Sequence, residues 1–167
     1  YIRSFARALK ARPERFLLRF AHEMNIADTP WWPGHYGNTP SQYVAMWRRV
    51  HGIFASEQVG NVEWVWSPNY ASNPFDSQTY AWNDVHNYYP GNAYVGWIGL
   101  SGYNWGNPWR SFREIYDEVL RDFTCSYAKP QVLFEIGSVE GSGGVQTKAY
   151  WINDMYAALA SYPFIRG

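Results

Sequence analysis

Four short apolar runs alternate with capped, striped helical segments, and that alternation constrains the chain more than any other feature. It is the pattern of parallel βα units. The runs are Phe16 to Phe20, Val62 to Trp66, Tyr94 to Leu100 and Gln131 to Glu135. Each is nearly continuous in apolar residues, as strands are when helices cover one face and a core fills the other. Between them, Thr39-Pro40-Ser41-Gln42 sets a hydroxyl at a helix N-cap, proline at the first helical position and glutamine three residues on. Tyr43, Val44, Trp47, Val50 and Phe54 follow on one helical stripe. Ser111-Phe112-Arg113-Glu114 is a second capping box, followed by Ile115, Tyr116, Val119, Leu120 and Phe123 on the face of Phe112. A third helix is predicted from about Thr147 to Ala160, with Ile152, Met155, Tyr156 and Leu159 facing inward. Ile2, Phe5 and Leu9 mark another at the start of the chain.

Four such units are half of a (β/α)8 barrel, a fold that takes about 250 residues where this chain has 167. The rival architecture is a small open, doubly wound sheet. A helical pattern already under way at Tyr1, and a strand-like Phe164-Ile165-Arg166-Gly167 at the end, lead to the expectation that residues 1–167 are one partial domain, truncated at both ends. No repeat or linker divides it. The stretch from Ser67 to Ala93, rich in Asn, Tyr, Pro and Ser, is too long for an ordinary βα loop and is expected to carry function.

Composition narrows the partners. With 14 basic and 14 acidic residues the net charge is zero, so there is no electrostatic case for nucleic acid or an anionic membrane. No run reaches the roughly 18 apolar residues of a membrane span, and no signal peptide opens the sequence. Cys125 stands alone, which excludes a disulfide framework and argues against a thiolate metal cluster. Aromatic residues make up 20% of the chain against 17% charged, more than packing a core of this size demands.

Chemistry concentrates at two strand ends. Arg19, His22, Glu23 and Asn25 crowd the C-terminal end of the first run, where parallel α/β folds place their active sites. Period-two alternation puts Arg19, Ala21 and Glu23 on one face, and an arginine in an apolar run needs a carboxylate partner. A structural Arg–Glu pair is the bland reading of the same spacing. His22-Glu23-Met24-Asn25 lacks the second histidine of the zincin pattern, so no metal site is expected. Glu135 is again an isolated carboxylate at the end of an apolar strand, where it could simply bond loop amides. Two such glutamates with abundant aromatics suit glycoside hydrolysis, one protonating the leaving oxygen and the other attacking or activating water. Gly99-Leu100-Ser101-Gly102-Tyr103 misses the last glycine of G-x-S-x-G, and every histidine precedes Ser101, which argues against a serine hydrolase.

Five segments occur in one order: Arg19 to Asn25, Trp31-Trp32-Pro33-Gly34, Trp64-Val65-Trp66-Ser67-Pro68-Asn69, Gly99 to Trp105, and Glu135-Ile136-Gly137-Ser138. Together they resemble the second half of glycoside hydrolase family 26, which contains endo-β-mannanases and β-1,3-1,4-glucanases (lichenases). The resemblance implies a (β/α)8 barrel of which these are strands four to seven. It implies a retaining mechanism with Glu23 as acid/base and Glu135 as nucleophile. It further implies that Tyr103 hydrogen-bonds the nucleophile, and that Arg19, His22, Asn25, Trp32, Trp66, Tyr103 and Trp105 belong to the substrate site. One departure is local: mannanases commonly continue with Gly and aromatics where this chain has Ile26-Ala27-Asp28-Thr29-Pro30.

The resulting expectation is an endo-acting β-1,4-mannanase, monomeric when complete, secreted, needing no cofactor and binding polysaccharide rather than nucleic acid or membrane. A lichenase of the same family is the close alternative. A carbohydrate-binding module is a second class, but such modules are mostly β-sandwiches, against which the capping boxes argue. A third possibility is a fragment that is inert by itself because half a barrel leaves open sheet edges.

Overall fold

A computed structural model describes residues 1–76 and 78–167. Strands β1 (Phe16–Leu18), β2 (Val62–Trp66), β3 (Trp97–Asn104) and β4 (Gln131–Ser138) form one sheet in the order β1-β2-β3-β4. Every neighbouring pair is parallel. Sequential order with no switch point is the barrel topology, so the chain is a half-barrel and not a doubly wound sheet. Past β4, Ile165 adds a parallel bridge to Gln131.

Helices α1 (Ile2–Lys10), α2 (Pro40–Ser56), α3 (Phe112–Tyr127) and α4 (Lys148–Leu159) accompany the sheet. Both capping boxes form. Thr39 N–H donates to Gln42 Oε1 at 2.8 Å and Ser111 N–H donates to Glu114 Oε2 at 2.7 Å, each cap contributing about 1 kcal/mol. Among the described residues no helix is long and apolar enough to cross a membrane.

Alternation along β2 and β3 separates two layers. Trp64 and Trp66 point outward to the helices, Trp64 against Trp47 and Phe54 of α2 and Trp66 against Phe123 and Tyr127 of α3. Much of the aromatic surplus is therefore core: Trp47, Trp66, Trp151, Tyr88 and Tyr116 are fully or almost fully buried. On the other face Ser67 and Ser101 point into the barrel. Gly99 makes room there, since a Cβ would lie 2.7 Å from Ser67 Oγ and 2.8 Å from the Phe134 ring.

Several elements differ from the sequence expectation. The first strand stops at Leu18, before Phe20, because Ala21 adopts a left-handed backbone with φ 45°. The third and fourth strands run on to Asn104 and Ser138. Backbone pairing of Tyr103 with Gly137 and Asn104 with Ser138 carries them past the point where apolar content ends. In α4 the buried stripe is Trp151, Met155 and Ala158, while Ile152 and Tyr156 are exposed. That helix is apolar on several sides, and the Trp151 indole, donating to the Arg110 carbonyl at 2.8 Å, fixes which side faces in. The crossover from β2 to β3 contains no α-helix among its described residues, only 3-10 turns at Ala81–Asn83 and Val85–Tyr88. Ser77, within that stretch, lies outside the described residues.

Candidate active site

Arg19, just past the end of β1, reaches across the whole sheet. Its Nε donates to Ser67 Oγ at 2.8 Å, its Nη2 to Ser101 Oγ at 2.6 Å and its Nη1 to Glu135 Oε1 at 2.5 Å. These partners lie at or just past the C-terminal end of β2, on β3 and on β4. In a flat sheet β1 and β4 would be roughly 14 Å apart. One side chain bonding all three strands requires the sheet to curl, so the half-barrel curvature is written in this contact.

Glu135 faces inward because of an irregularity. The ladder registers Leu100 with Leu133 but Ser101 with Glu135, which leaves Phe134 as the extra residue of a β-bulge. Without it, alternation would send Phe134 and Glu135 to opposite faces. With it, both project into the barrel. Phe134 lies under the Arg19 guanidinium, 4.9 Å from Cζ to ring centroid, and Glu135 pairs with that guanidinium at its edge.

Tyr103 completes the clamp, its hydroxyl donating to Glu135 Oε2 at 2.6 Å. Both carboxylate oxygens are thus bonded. The Tyr103 bond first, and Arg19 next, hold Glu135 below the ordinary carboxylate range despite partial burial. The Tyr103 hydroxyl is pushed up to about 12, by burial and then by that same bond, so it remains a donor at any physiological pH.

Glu23 sits on the turn after β1 with φ 53°, two residues beyond Ala21, also left-handed. Two non-glycine residues in that region so close together are strained, at about 1 kcal/mol or more each. The strain is held by neighbours: Glu23 N–H donates to the Ser67 carbonyl at 2.7 Å, and Tyr43 Oη donates to the Ala21 carbonyl at 3.1 Å. The Glu23 carboxylate accepts from Asn69 Nδ2 at 3.0 Å. The two glutamates are linked through Ser67, whose carbonyl accepts from Glu23 N–H and whose hydroxyl accepts from Arg19 Nε, while the same guanidinium pairs with Glu135. Burial, then the charge of Arg19, lower the His22 imidazole from its usual value, which favours the neutral ring.

The aromatic residues divide sharply. Trp105, beside Tyr103 at 5.2 Å between centroids, is 70% exposed and offers an open face. Trp66, expected in the substrate site, is fully buried against α3 on the opposite side of the sheet. Strand alternation with Ser67 puts it there. Trp32, also expected there, is only 8% exposed. Its indole donates to Asn83 Oδ1 at 3.1 Å and its ring is so close to Gly34 that a Cβ would sit 2.1 Å from it. The exposed member of the pair is Trp31, at 39%, packed on the His22 ring with its indole donating to the His22 carbonyl at 2.6 Å. Asn25 is likewise fully buried and bonded within the protein, so it does not face a ligand.

The loops after β1 and β2 are joined to one another. Ile26 and Asn73 form a parallel bridge, with Ala27 N–H donating to the Asn73 carbonyl at 2.8 Å and Asn73 N–H to the Asn25 carbonyl at 2.9 Å. Buried Asn83 ties the same pieces together, its Nδ2 donating to the carbonyls of Asn25 at 3.0 Å and Pro74 at 2.7 Å.

Two glutamates thus stand at the open end of a parallel half-barrel, with a Tyr–Arg clamp on one of them. Glycosyl hydrolase family 26 aligns with residues 2–160. The chain belongs to this family. A family 26 assignment accounts for the sequential parallel strands and for the ordered motifs together. The chain is similar to Endoglucanase H of Acetivibrio thermocellus, at 31% identity over 167 aligned positions covering 95% of this chain and 17% of that protein. Among solved structures it resembles the YdhT protein from Bacillus subtilis, with TM-score 0.66 and 21% identity, covering 98% of this chain and 43% of that one. It also resembles the Bacillus subtilis mannanase BCman, with TM-score 0.64 and 21% identity, covering 98% and 44%. The chain therefore spans less than half the length of each of these relatives.

The serines that anchor Arg19, and Asn69 beside Glu23, lie inside the ordered motifs but were not among the residues expected in the substrate site. Their signal was present: Ser67 and Asn69 follow β2 at alternate positions and Ser101 interrupts the apolar run of β3, all near the C-terminal strand ends.

Proposed function

We propose that this chain supplies the two carboxylates of an endo-acting, retaining glycoside hydrolase cleaving a β-linked polysaccharide. The observation that carries the reading is the unequal treatment of the glutamates. Glu135 is bonded at both oxygens by Tyr103 and Arg19 and held charged, as a nucleophile must be. Glu23 has a single neutral amide donor and suits proton transfer. In the first step Glu135 attacks the anomeric carbon while Glu23 protonates the departing glycosidic oxygen. In the second, Glu23 takes a proton from water, which attacks the same carbon and frees Glu135. Trp105 and Trp31 offer rings on which sugar faces stack. A polysaccharide is met outside the cell, which is where this reading places the protein.

The sequence expectation for the substrate is β-1,4-mannan, and the mannanase among the structural neighbours supports it. The relative of higher identity is an endoglucanase, and the Ile26–Pro30 segment departs from the mannanase pattern. These favour β-1,3-1,4-glucan. The full-length protein containing these residues is expected to release reducing ends from barley β-glucan faster than from galactomannan. The opposite ratio would establish mannan as the substrate, and no release from either would sink the glycosidase reading.

Tyr103→Phe gives a pH signature. Glu135 is held low in the folded protein, so its charge contributes stability above the ordinary carboxylate range, and this is lost as pH falls through the depressed value. Removing the Tyr103 bond moves Glu135 back upward. The acidic limb of kcat/KM is expected to shift to higher pH, with kcat falling about 10- to 100-fold. An unmoved limb would mean that Tyr103 only packs the barrel mouth.

A further inference from the structure

Asn25 and Asn69 form a relay whose atoms can be assigned without ambiguity. Asn25 Oδ1 accepts from Asn69 N–H at 2.9 Å, and Asn25 Nδ2 donates to the Asn69 carbonyl at 3.0 Å and to Ser72 Oγ at 3.3 Å. Backbone groups cannot exchange donor and acceptor, so they fix which end of the Asn25 amide is oxygen. The Asn69 side chain is fixed in the same way. Its Oδ1 accepts from Ala71 N–H at 3.2 Å, which forces Nδ2 toward Glu23 Oε1 at 3.0 Å.

We propose that Asn69 is a positioning residue for proton delivery by Glu23, and that Asn25, fully buried, sets Asn69 in place. The inference rests on the acid/base reading of Glu23 given above. An amide N–H bonded to Oε1 marks that atom as the acceptor and leaves Oε2 to carry the proton. It also orients a side chain with three rotatable bonds whose backbone is already pinned through Ser67. Without the bond the carboxyl rotates, and the proton is no longer aligned with the glycosidic oxygen. A well-placed general acid contributes about 10²- to 10⁴-fold, and part of that depends on orientation.

The test compares kcat/KM for the polysaccharide that the full-length protein hydrolyses with kcat/KM for the 2,4-dinitrophenyl glycoside of the same sugar, whose leaving group needs no proton. Asn69→Ala is expected to lose about 10- to 100-fold on the polysaccharide and less than about threefold on the aryl glycoside. Asn69→Asp keeps the acceptor for Ala71 but sets a second carboxylate against Glu23 in place of the donor, so it also removes the aligning bond and tests the same split if the alanine variant folds poorly. Equal losses on both substrates, or no loss on either, would overturn the proposal. Glu23→Ala is the reference. If it fails to show the split, the acid/base reading of Glu23 is wrong; if it shows the split and the Asn69 variants do not, only the positioning role is wrong.

Discussion

Glu135→Ala in the full-length protein is expected to lose hydrolysis of every substrate, whereas Glu23→Ala loses about 10²- to 10⁴-fold on polysaccharide and still cleaves an activated aryl glycoside. The asymmetry follows from the bonds each carboxylate makes. Glu135, clamped by Tyr103 and Arg19, is assigned the attack, for which no leaving group compensates. Glu23 is assigned the proton, which a good leaving group does not need. Azide separates the roles stereochemically. In Glu23→Ala it intercepts the glycosyl-enzyme from the face that water would use and gives a β-glycosyl azide. In Glu135→Ala it can only take the place of the missing nucleophile and gives the α-product. Product anomers the other way round, read by NMR, would exchange the two assignments.

The second large effect is at Arg19. Arg19→Met removes a guanidinium that is 17% exposed and bonds two strand-end serines and Glu135. Breaking a buried pair costs about 3–5 kcal/mol, and partial exposure of Glu135 lowers the expectation to about 2–4. The loss comes from an unpaired carboxylate, two orphaned hydroxyls and a slackened sheet, and should appear as a lower denaturation midpoint together with loss of turnover. Arg19→Lys is not expected to rescue either property. An ammonium is a compact charge and cannot reproduce the fork that reaches three strands and lies over the Phe134 ring. Wild-type stability and turnover in Arg19→Lys would show that charge alone suffices.

How much of this was legible in the sequence depended on which rule governed each residue. Helix starts were readable because a capping box is a local bond between Thr39 and Gln42 or Ser111 and Glu114. The pairing of Arg19 with a carboxylate was readable as a charge requirement, but its partner was not, because Glu135 reaches it only through the bulge at Phe134. Nothing in Val132-Leu133-Phe134-Glu135 announces that extra residue. The family resemblance puts Trp66 in the substrate site, whereas strand alternation with Ser67 sends it to the helix layer. Trp32 and Trp31 are neighbours of the same type, and only the tertiary contact with Asn83 decides which is buried. Asn25 belongs to the substrate site by the family resemblance alone, yet its partner is the backbone of a loop 44 residues further on.

The bridge between Ile26 and Asn73, and the Asn83 side chain holding both loops, make the loops behind Glu23 a part of the folded framework. Their conformational entropy is lost once, when the chain folds, rather than at each encounter with a glycan. Immobilising a flexible side chain at a binding surface costs about 0.5–1.5 kcal/mol, and here the residues behind Glu23 bear none of it on docking. On the glycosidase reading proposed above, a ligand reaching Glu23 would meet a wall ordered in advance, and none of its binding energy would go into fixing the loops behind that residue.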